Sequence, residues 1–151
     1  MKPPAISGDR TVSNAGPDEL RAILRDTRTV AVVGASDDPF RPSNEVFGYL
    51  ARHSDYTLYP VNPNVTAVDG VPAYPSLADL PVVPDMVDVF RRRDDLPAVL
   101  EEVLALQPRP KYLWLQQGLW HDEVARTARE AGITVVMDRC LKVDHQVFIG
   151  N

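Results

Sequence analysis

The sequence contains a single cysteine, only three histidines and no long hydrophobic run. One cysteine excludes a disulfide framework and a zinc site built from cysteines. No apolar run approaches the roughly 18 residues of a membrane-spanning helix, so we expect no transmembrane segment. The first ten residues, MKPPAISGDR, lack the hydrophobic core of a secretory signal. We therefore expect a soluble protein of the reducing cytoplasm.

Basic residues are also in the minority, with 16 Lys and Arg against 21 Asp and Glu and a formal net charge of −5. Such a chain has no general attraction for nucleic acid or anionic lipid, so an anionic ligand needs a local cluster of positive charge. A length of 151 residues predicts one domain. Residues 1–16 are polar and contain Pro3, Pro4, Gly8 and Gly16, which predicts a flexible arm before a domain over 17–151. The sequence leaves a protein partner open.

Two common nucleotide-binding motifs are missing. Starting at Gly34, the third and sixth positions of a G-x-G-x-x-G motif are Ser36 and Pro39, and no P-loop occurs. Nicotinamide enzymes usually place an acidic residue after the second strand, where this chain has Asn62. These absences weaken an NAD(P)-binding interpretation without excluding it.

Five short segments rich in β-branched and aromatic residues alternate with segments of helical periodicity. The predicted strands are Thr29–Val33, Thr57–Val61, Met86–Phe90, Tyr112–Leu115 and Thr134–Met137. Helical patterns begin near Pro17, Ser43, Asp95 and Asp122. The proline-rich stretch 62–84 predicts a loop with one helical turn near Ser76–Asp79. This alternation predicts an α/β fold, a Rossmann-like doubly wound sheet of about five parallel strands in three α/β/α layers.

Ligands of such sheets bind beyond the carboxyl ends of the strands, so the loops after the strands form the candidate site. After the first strand, Gly34 permits close backbone approach, Ser36 and Ser43 supply hydroxyl groups, and Arg41 adds charge. The start of the next helix presents free N–H groups that suit a phosphate. The alternative is an ordinary strand-to-helix loop.

Two further strand ends carry polar residues. Arg91–Arg93 follow the third strand and form the best local patch for a polyphosphate, because guanidinium groups bind phosphate oxygens in pairs. The alternative is a solvated loop in which these arginines pair with Asp94 and Asp95. Gln116–Trp120 follow the fourth strand and combine amide groups with a glycine, although Trp120 also fits simple core packing.

No catalytic or metal-binding set is predicted. His53, His121 and His145 belong to different predicted elements, and a surface or helix-capping role fits His121 better than a ligand contact. Cys140 follows the fifth strand and is either a reactive thiol or a packing residue, and we favour packing. No spacing of carboxylates and histidines indicates a metal site.

Seven segments, taken in order, resemble the CoA-binding domain family, whose small stand-alone members are similar to the CoA-binding domain of the succinyl-CoA synthetase alpha subunit. The segments are Val30–Ser36, Arg41–Ser43, Tyr59–Pro63, Tyr74–Pro81, Val87–Arg92, Trp114–Gly118 and Val135–Cys140. The resemblance covers about residues 20–148 and leaves the first sixteen residues unmatched.

The resemblance implies that coenzyme A or an acyl-CoA binds at the carboxyl edge of the sheet. Carried over residue by residue, the implied cofactor-binding residues are Gly34, Ala35, Ser36, Arg41, Pro42, Ser43, Asn62, Pro63, Phe90, Arg91, Gln117 and Gly118. The synthetase also needs a histidine in a second domain and an ATP-grasp partner, and this sequence contains neither. The expected role is therefore non-catalytic binding as a carrier, sensor or regulatory subunit. The alternatives are an NAD(P)-binding oxidoreductase and an interaction module without a ligand.

Overall fold

The computed structural model describes residues 10–150 and has a parallel β-sheet at its centre. In chain order the strands are β1 (Thr29–Val33), β2 (Thr57–Val61), β3 (Ala67–Val68), β4 (Val71–Pro72), β5 (Met86–Val89), β6 (Tyr112–Leu115) and β7 (Thr134–Val136). The central sheet has the order β2-β1-β5-β6-β7, and every neighbouring pair in it is parallel. These are the five predicted strands. The third and the fifth of them each end one residue earlier than predicted.

Helices cover both faces of this sheet. They are α1 (Pro17–Asp26), α2 (Pro42–His53), α3 (Leu96–Leu104), α4 (Asp122–Glu130) and α5 (Leu141–Phe148). The apolar sides of α3 and α4 pack on one face, and those of α1, α2 and α5 pack on the other. The predicted three-layer Rossmann-like fold is confirmed. Within residues 10–150, no helix has the length and apolar character needed to cross a bilayer.

The structure adds two features to the predicted elements and shifts a helix start. α5 was not predicted, although Leu141 and His145 on its buried side have helical spacing. The loop 62–84 contains the antiparallel β3–β4 hairpin, and its helical turn is a 3-10 turn at Leu77–Asp79. The second helix begins at Pro42 rather than Ser43, because proline fits the first helical position, where its missing N–H would have no partner.

The strand order reverses at β1, which lies between β2 and β5. Beyond the strand ends the ladders continue, since Gly34 N donates to Val61 O at 2.9 Å and Phe90 N donates to Val33 O at 2.8 Å. A Cβ atom on Gly34 would lie 2.0 Å from the Phe90 carbonyl oxygen. The backbone at Phe90, just after the neighbouring strand β5, therefore comes so close to residue 34 that only glycine fits there. The crevice of such a sheet opens at this reversal, above β1 and β5.

Both edges of the sheet are covered near their carboxyl ends. Residues 10–14 form a strap along β7, where Asn14 Nδ2 donates to Met137 O at 2.7 Å and Met137 N donates to Asn14 Oδ1 at 3.0 Å. At the other edge, Tyr74 N donates to Pro60 O and Asn62 N donates to Tyr74 O, both at 2.9 Å. The described part of the predicted flexible arm is thus bound to the domain, because Asn14 satisfies backbone groups of an edge strand. Residues 1–9 lie outside the described residues.

Candidate functional site

A cleft of about 1030 Å³ lies over the carboxyl ends of β1, β5 and β6. This volume is at the upper end of the roughly 300–1,000 Å³ of typical small-molecule sites. The structure brings most of the predicted site residues to its wall. The predicted residues that line it are Gly34, Ser36, Arg41, Pro42, Ser43, Asn62, Phe90, Arg91, Gln117 and Gly118.

Two predicted residues lie elsewhere. Ala35 is fully buried in the core, so it has no side chain to offer to a ligand. Its carbonyl accepts a hydrogen bond from Asn62 Nδ2 at 2.8 Å. Pro63 is exposed and lies outside the cleft lining, and Asn62 Oδ1 accepts from Asn64 N at 2.9 Å. The Asn62 amide therefore holds the turn after β2 against the loop after β1.

The loop between β1 and α2 is fixed by its own hydrogen bonds. Ser36 Oγ accepts from Asp38 N at 3.0 Å, and Asp38 Oδ1 accepts from Phe40 N at 2.9 Å. Asn44 Nδ2 donates to Ser36 O at 2.9 Å and ties the loop to the first turn of α2. The cleft wall is consequently shaped before a ligand arrives, which reduces the entropy lost on binding.

Positive charge accumulates on this wall through four basic side chains, Arg41, Arg91, Arg92 and Lys142. Three of them have carboxylate partners, Arg41 with Asp38 at 3.9 Å, Arg92 with Asp95 at 4.0 Å and Lys142 with Glu45 at 2.7 Å. Arg91 is half-buried, and no ion pair joins it to another residue within 10–150. It is the best-placed cation for an incoming anion. The N-terminus of α2, close by, adds the positive end of a helix dipole.

The third arginine of the cluster faces away from the cleft. Arg93 Nε donates to the carbonyl of Trp120 at 2.9 Å and so braces the turn after β6. The predicted triple patch is therefore a pair, Arg91 and Arg92, and Arg92 shows the aspartate pairing of the alternative interpretation.

The far wall comes from α5, which the sequence reasoning missed. Cys140, Lys142, Val143 and Gln146 line the cleft there. The buried Gln116 of the β6 end accepts from Leu141 N at 3.0 Å through its Oε1 atom and anchors the helix start. Helical spacing in 141–148 was the available signal, and the short, mixed composition of that segment concealed it.

The histidines have structural positions. His121 Nδ1 accepts from Val124 N at 3.1 Å, which confirms the capping role at the start of α4. His53 is exposed at the end of α2, and the buried His145 shares a 2.7 Å hydrogen bond with Tyr49. Burial lowers the pKa of His145. Among residues 10–150, no histidine lines the cleft, and no group of side chains that could hold a metal ion occurs.

A buried carboxyl group lies in β5, the strand that is followed by the cleft residues Phe90 and Arg91. Asp88 occupies the middle of β5, opposite Val32 on one side and Trp114 on the other, and is 0% exposed. Alternation along the strand places it on the same face as Phe90, which lines the cleft. Neither of its oxygens has a hydrogen-bond partner among the described residues. Burial raises the pKa of Asp88 well above its usual range, because a buried carboxylate without hydrogen-bond donors is poorly stabilised.

The arrangement of a basic crevice at a strand-order reversal can be compared with known proteins. The family model described as CoA binding domain matches residues 28–146. The chain belongs to this CoA-binding family. The resemblance noted in the sequence is thereby confirmed, and a CoA-related binding role is established at the level of the family.

Two relatives are similar to most of this chain, and a third is similar to about a third of it. The uncharacterized protein YneT of Bacillus subtilis is 39% identical over 136 residues, covering 90% of this chain and 98% of YneT. A solved structure from Thermus thermophilus, cell-free ID.343, is 43% identical with a TM-score of 0.82, covering 89% of this chain and 100% of that one. A 54-residue stretch, 36% of this chain, is 43% identical to subunit alpha of the ADP-forming acetate–CoA ligase II of Pyrococcus furiosus and covers 12% of that subunit.

Proposed function

We propose that this chain binds coenzyme A or an acyl-CoA in the cleft above β1, β5 and β6. The observation that carries the proposal is Arg91, a half-buried cation that has no ion-pair partner within 10–150 and lines the cleft together with Arg41 and the first turn of α2. Coenzyme A carries three phosphate groups, and paired guanidinium N–H donors together with a helix N-terminus match them.

Each wall has a separate part in this proposal. Arg41, Ser43 and Arg91 hold the phosphates, since all three line the cleft and carry N–H or O–H donors. Phe90 and Leu119 give the floor an apolar surface against which the uncharged pantetheine arm packs. The amide groups of Gln117 hydrogen-bond the amides of that arm.

The proposed role is to hold the ligand rather than to transform it, as a carrier, sensor or regulatory subunit does. The carboxylates on the cleft wall support this reading. Glu45 is paired with Lys142, and hydrogen bonding to Lys142 lowers the pKa of Glu45. Asp95 faces Arg92 at 4.0 Å. The lowered pKa of Glu45 favours its ionised form, which balances positive charge in the cleft rather than donating a proton.

The proposal is tested by calorimetric titration with coenzyme A, acetyl-CoA, NAD⁺, NADPH and ATP. We expect the two CoA compounds to bind most tightly. Arg91→Gln weakens CoA binding by about tenfold or more, the scale of a hydrogen bond to a charged group. Arg109→Gln, an exposed arginine outside the cleft lining, is the matched control and leaves the affinity unchanged.

Two results would replace the proposal with one of its alternatives. Tight NADPH binding without CoA binding would make the chain an NAD(P)-binding protein. Absence of binding by every compound below about 1 mM, a free energy of roughly 4 kcal/mol, would favour an interaction module.

A further inference from the structure

The strap, residues 10–14, lies outside the part of the chain that matches the CoA-binding family. It nevertheless makes several specific contacts with the domain. Thr11 N donates to Asp122 Oδ2 at 2.7 Å, the Thr11 hydroxyl donates to the same oxygen, and Arg10 Nη1 lies 3.0 Å from Asp138 Oδ2. The Arg10 guanidinium also lies 4.7 Å above the ring of Trp120. The partners are separated from the strap by more than a hundred residues of sequence.

The two carboxylates that bind the strap also bind the turn after β6, residues 116–120. Asp138 uses Oδ2 for Arg10 and Oδ1 for the backbone N–H of Gly118, at 2.7 Å. Asp122 uses Oδ2 for Thr11 and Oδ1 for the indole N–H of Trp120, at 2.8 Å. Each carboxylate therefore bridges the strap and the turn, and Asp122 Oδ1 also accepts from Val12 N of the strap at 3.5 Å.

The turn held in this way is part of the cleft. Gln116, Gln117, Gly118 and Leu119 all line it. The backbone of Gly118 has a φ of +92°, a conformation that depends on its surroundings because it has few intrinsic restraints. A second hydrogen bond, from Asp138 N to Leu119 O at 2.9 Å, fixes the next residue of the turn.

The environment of Asp122 shows that its hydrogen bonds to the strap and the turn stabilise the buried carboxylate. The residue is 3% exposed. Burial alone would raise the pKa of Asp122, but the hydrogen bonds from Thr11 and Trp120 outweigh it and lower the pKa to about 2. A buried carboxylate needs such donors, and removal of one leaves charge poorly compensated. Loss of the strap therefore disturbs Asp122 and, through it, Trp120.

We infer that the strap is a positioning element for the ligand cleft: Arg10 and Thr11, acting through Asp138 and Asp122, hold the turn 116–120 in its binding conformation. The consequence for affinity rests on the proposed function of the cleft. Coupling of this kind is reciprocal, so a bound ligand also favours the docked strap. The segment outside the family match thus helps to shape the site inside it.

The experiment compares the full chain with the double variant Arg10→Ala/Thr11→Val and the conservative double variant Arg10→Lys/Thr11→Ser. Amide hydrogen exchange of Gly118 and Leu119 reports the turn without any ligand, and calorimetric titration with coenzyme A reports the cleft. Lys111→Ala removes a comparable exposed ion pair, with Asp26 at 3.3 Å, at the opposite end of the sheet and serves as the control.

We expect Arg10→Ala/Thr11→Val to exchange its Gly118 amide at least about fivefold faster and to bind CoA at least about fivefold more weakly, the lower range of typical coupling between sites. The conservative variant recovers both properties and Lys111→Ala changes neither. Unchanged exchange, or faster exchange with unchanged CoA affinity, would overturn the inference. If the unaltered chain binds no CoA, the proposed function fails, and faster exchange in the variant would still uphold the link between strap and turn.

Discussion

The buried Asp88 makes the stability of this protein depend on pH in an unusual direction. Its carboxyl group is 0% exposed and has no hydrogen-bond partner among the described residues, and burial raises its pKa well above the usual range. In the unfolded chain the same group ionises near pH 4. Between these two values the unfolded chain has released a proton that the folded protein still holds.

The sign and size of the effect follow from this difference in bound protons. Below about pH 4 both states are protonated and Asp88 adds no pH dependence. Above it, the free energy of unfolding falls by about 1.4 kcal/mol for each pH unit, until the folded-state pKa is reached. The total loss of stability grows with the distance by which burial raises the folded-state pKa of Asp88.

His145 acts in the opposite direction in part of this range. Burial lowers its pKa, so below about pH 6.5 the unfolded chain takes up a proton that the folded protein does not. That term makes stability rise with pH. The two effects partly cancel in the unaltered protein, so its own pH profile does not isolate Asp88. The difference between the unaltered protein and a variant at position 88 removes the His145 term.

The informative change is Asp88→Asn, which keeps the shape of the side chain and abolishes its ionisation. Urea denaturation is measured at a series of pH values. We expect the variant to gain stability relative to the unaltered protein by about 1.4 kcal/mol per pH unit above about pH 4. The cost of burying an unpaired amide shifts the whole curve without changing this slope. Asp18→Asn, at an exposed aspartate, keeps the original slope. Parallel curves for Asp88→Asn and the unaltered protein would refute the reasoning.

Three further predictions concern the cleft. Raising the salt concentration lowers the affinity for coenzyme A, because salt screens the attraction between its phosphates and the cleft. This dependence of affinity on salt is weaker in Arg91→Gln, which has one charge fewer. Equal salt dependence of the two proteins in calorimetric titration would contradict the prediction. Gly34→Ala lowers the free energy of unfolding, measured by urea denaturation, by about 3 kcal/mol or more, because its Cβ atom would lie 2.0 Å from the Phe90 carbonyl oxygen in a left-handed backbone. The control Gly16→Ala, which has open space around the residue, leaves the free energy of unfolding unchanged by this mechanism. Cys140→Ser leaves the CoA affinity within about twofold, as loss of one weak packing group predicts; a protein–CoA disulfide detected by mass spectrometry with oxidised CoA would instead make Cys140 reactive.

The strands were predictable because burial on both sides demands continuous apolar runs, and such runs are visible locally. The same holds for α1, α3 and α4, whose apolar spacing is regular. α5 and the β3–β4 hairpin escaped because they are short and derive their stability from tertiary contacts. The N-cap of α2 lies two residues before the expected one, since Ser43 looks like a better cap than the Arg41 that occupies the position.

The candidate site was predictable in outline for a topological reason. Parallel strands bring their carboxyl ends to one edge, so loops far apart in sequence meet there whatever their composition. The sequence pattern does not predict the direction of an individual side chain. Arg93 faces Trp120 and Ala35 faces the core, although both lie in loops that were expected to bind the ligand. The contacts of the strap depend on residues more than a hundred positions away, and nothing in residues 10–14 reveals them locally.

The covered edges of the sheet also bear on how copies of this protein meet. An exposed edge strand offers a row of free backbone groups to which a second chain can add, the route to domain swapping and fibril growth. Here Asn14 occupies the end of β7, and Tyr74 occupies the end of β2, which also contains Pro60 and so lacks a donor within its ladder. Copies of the folded chain are thus hindered from adding strand to strand at these two positions.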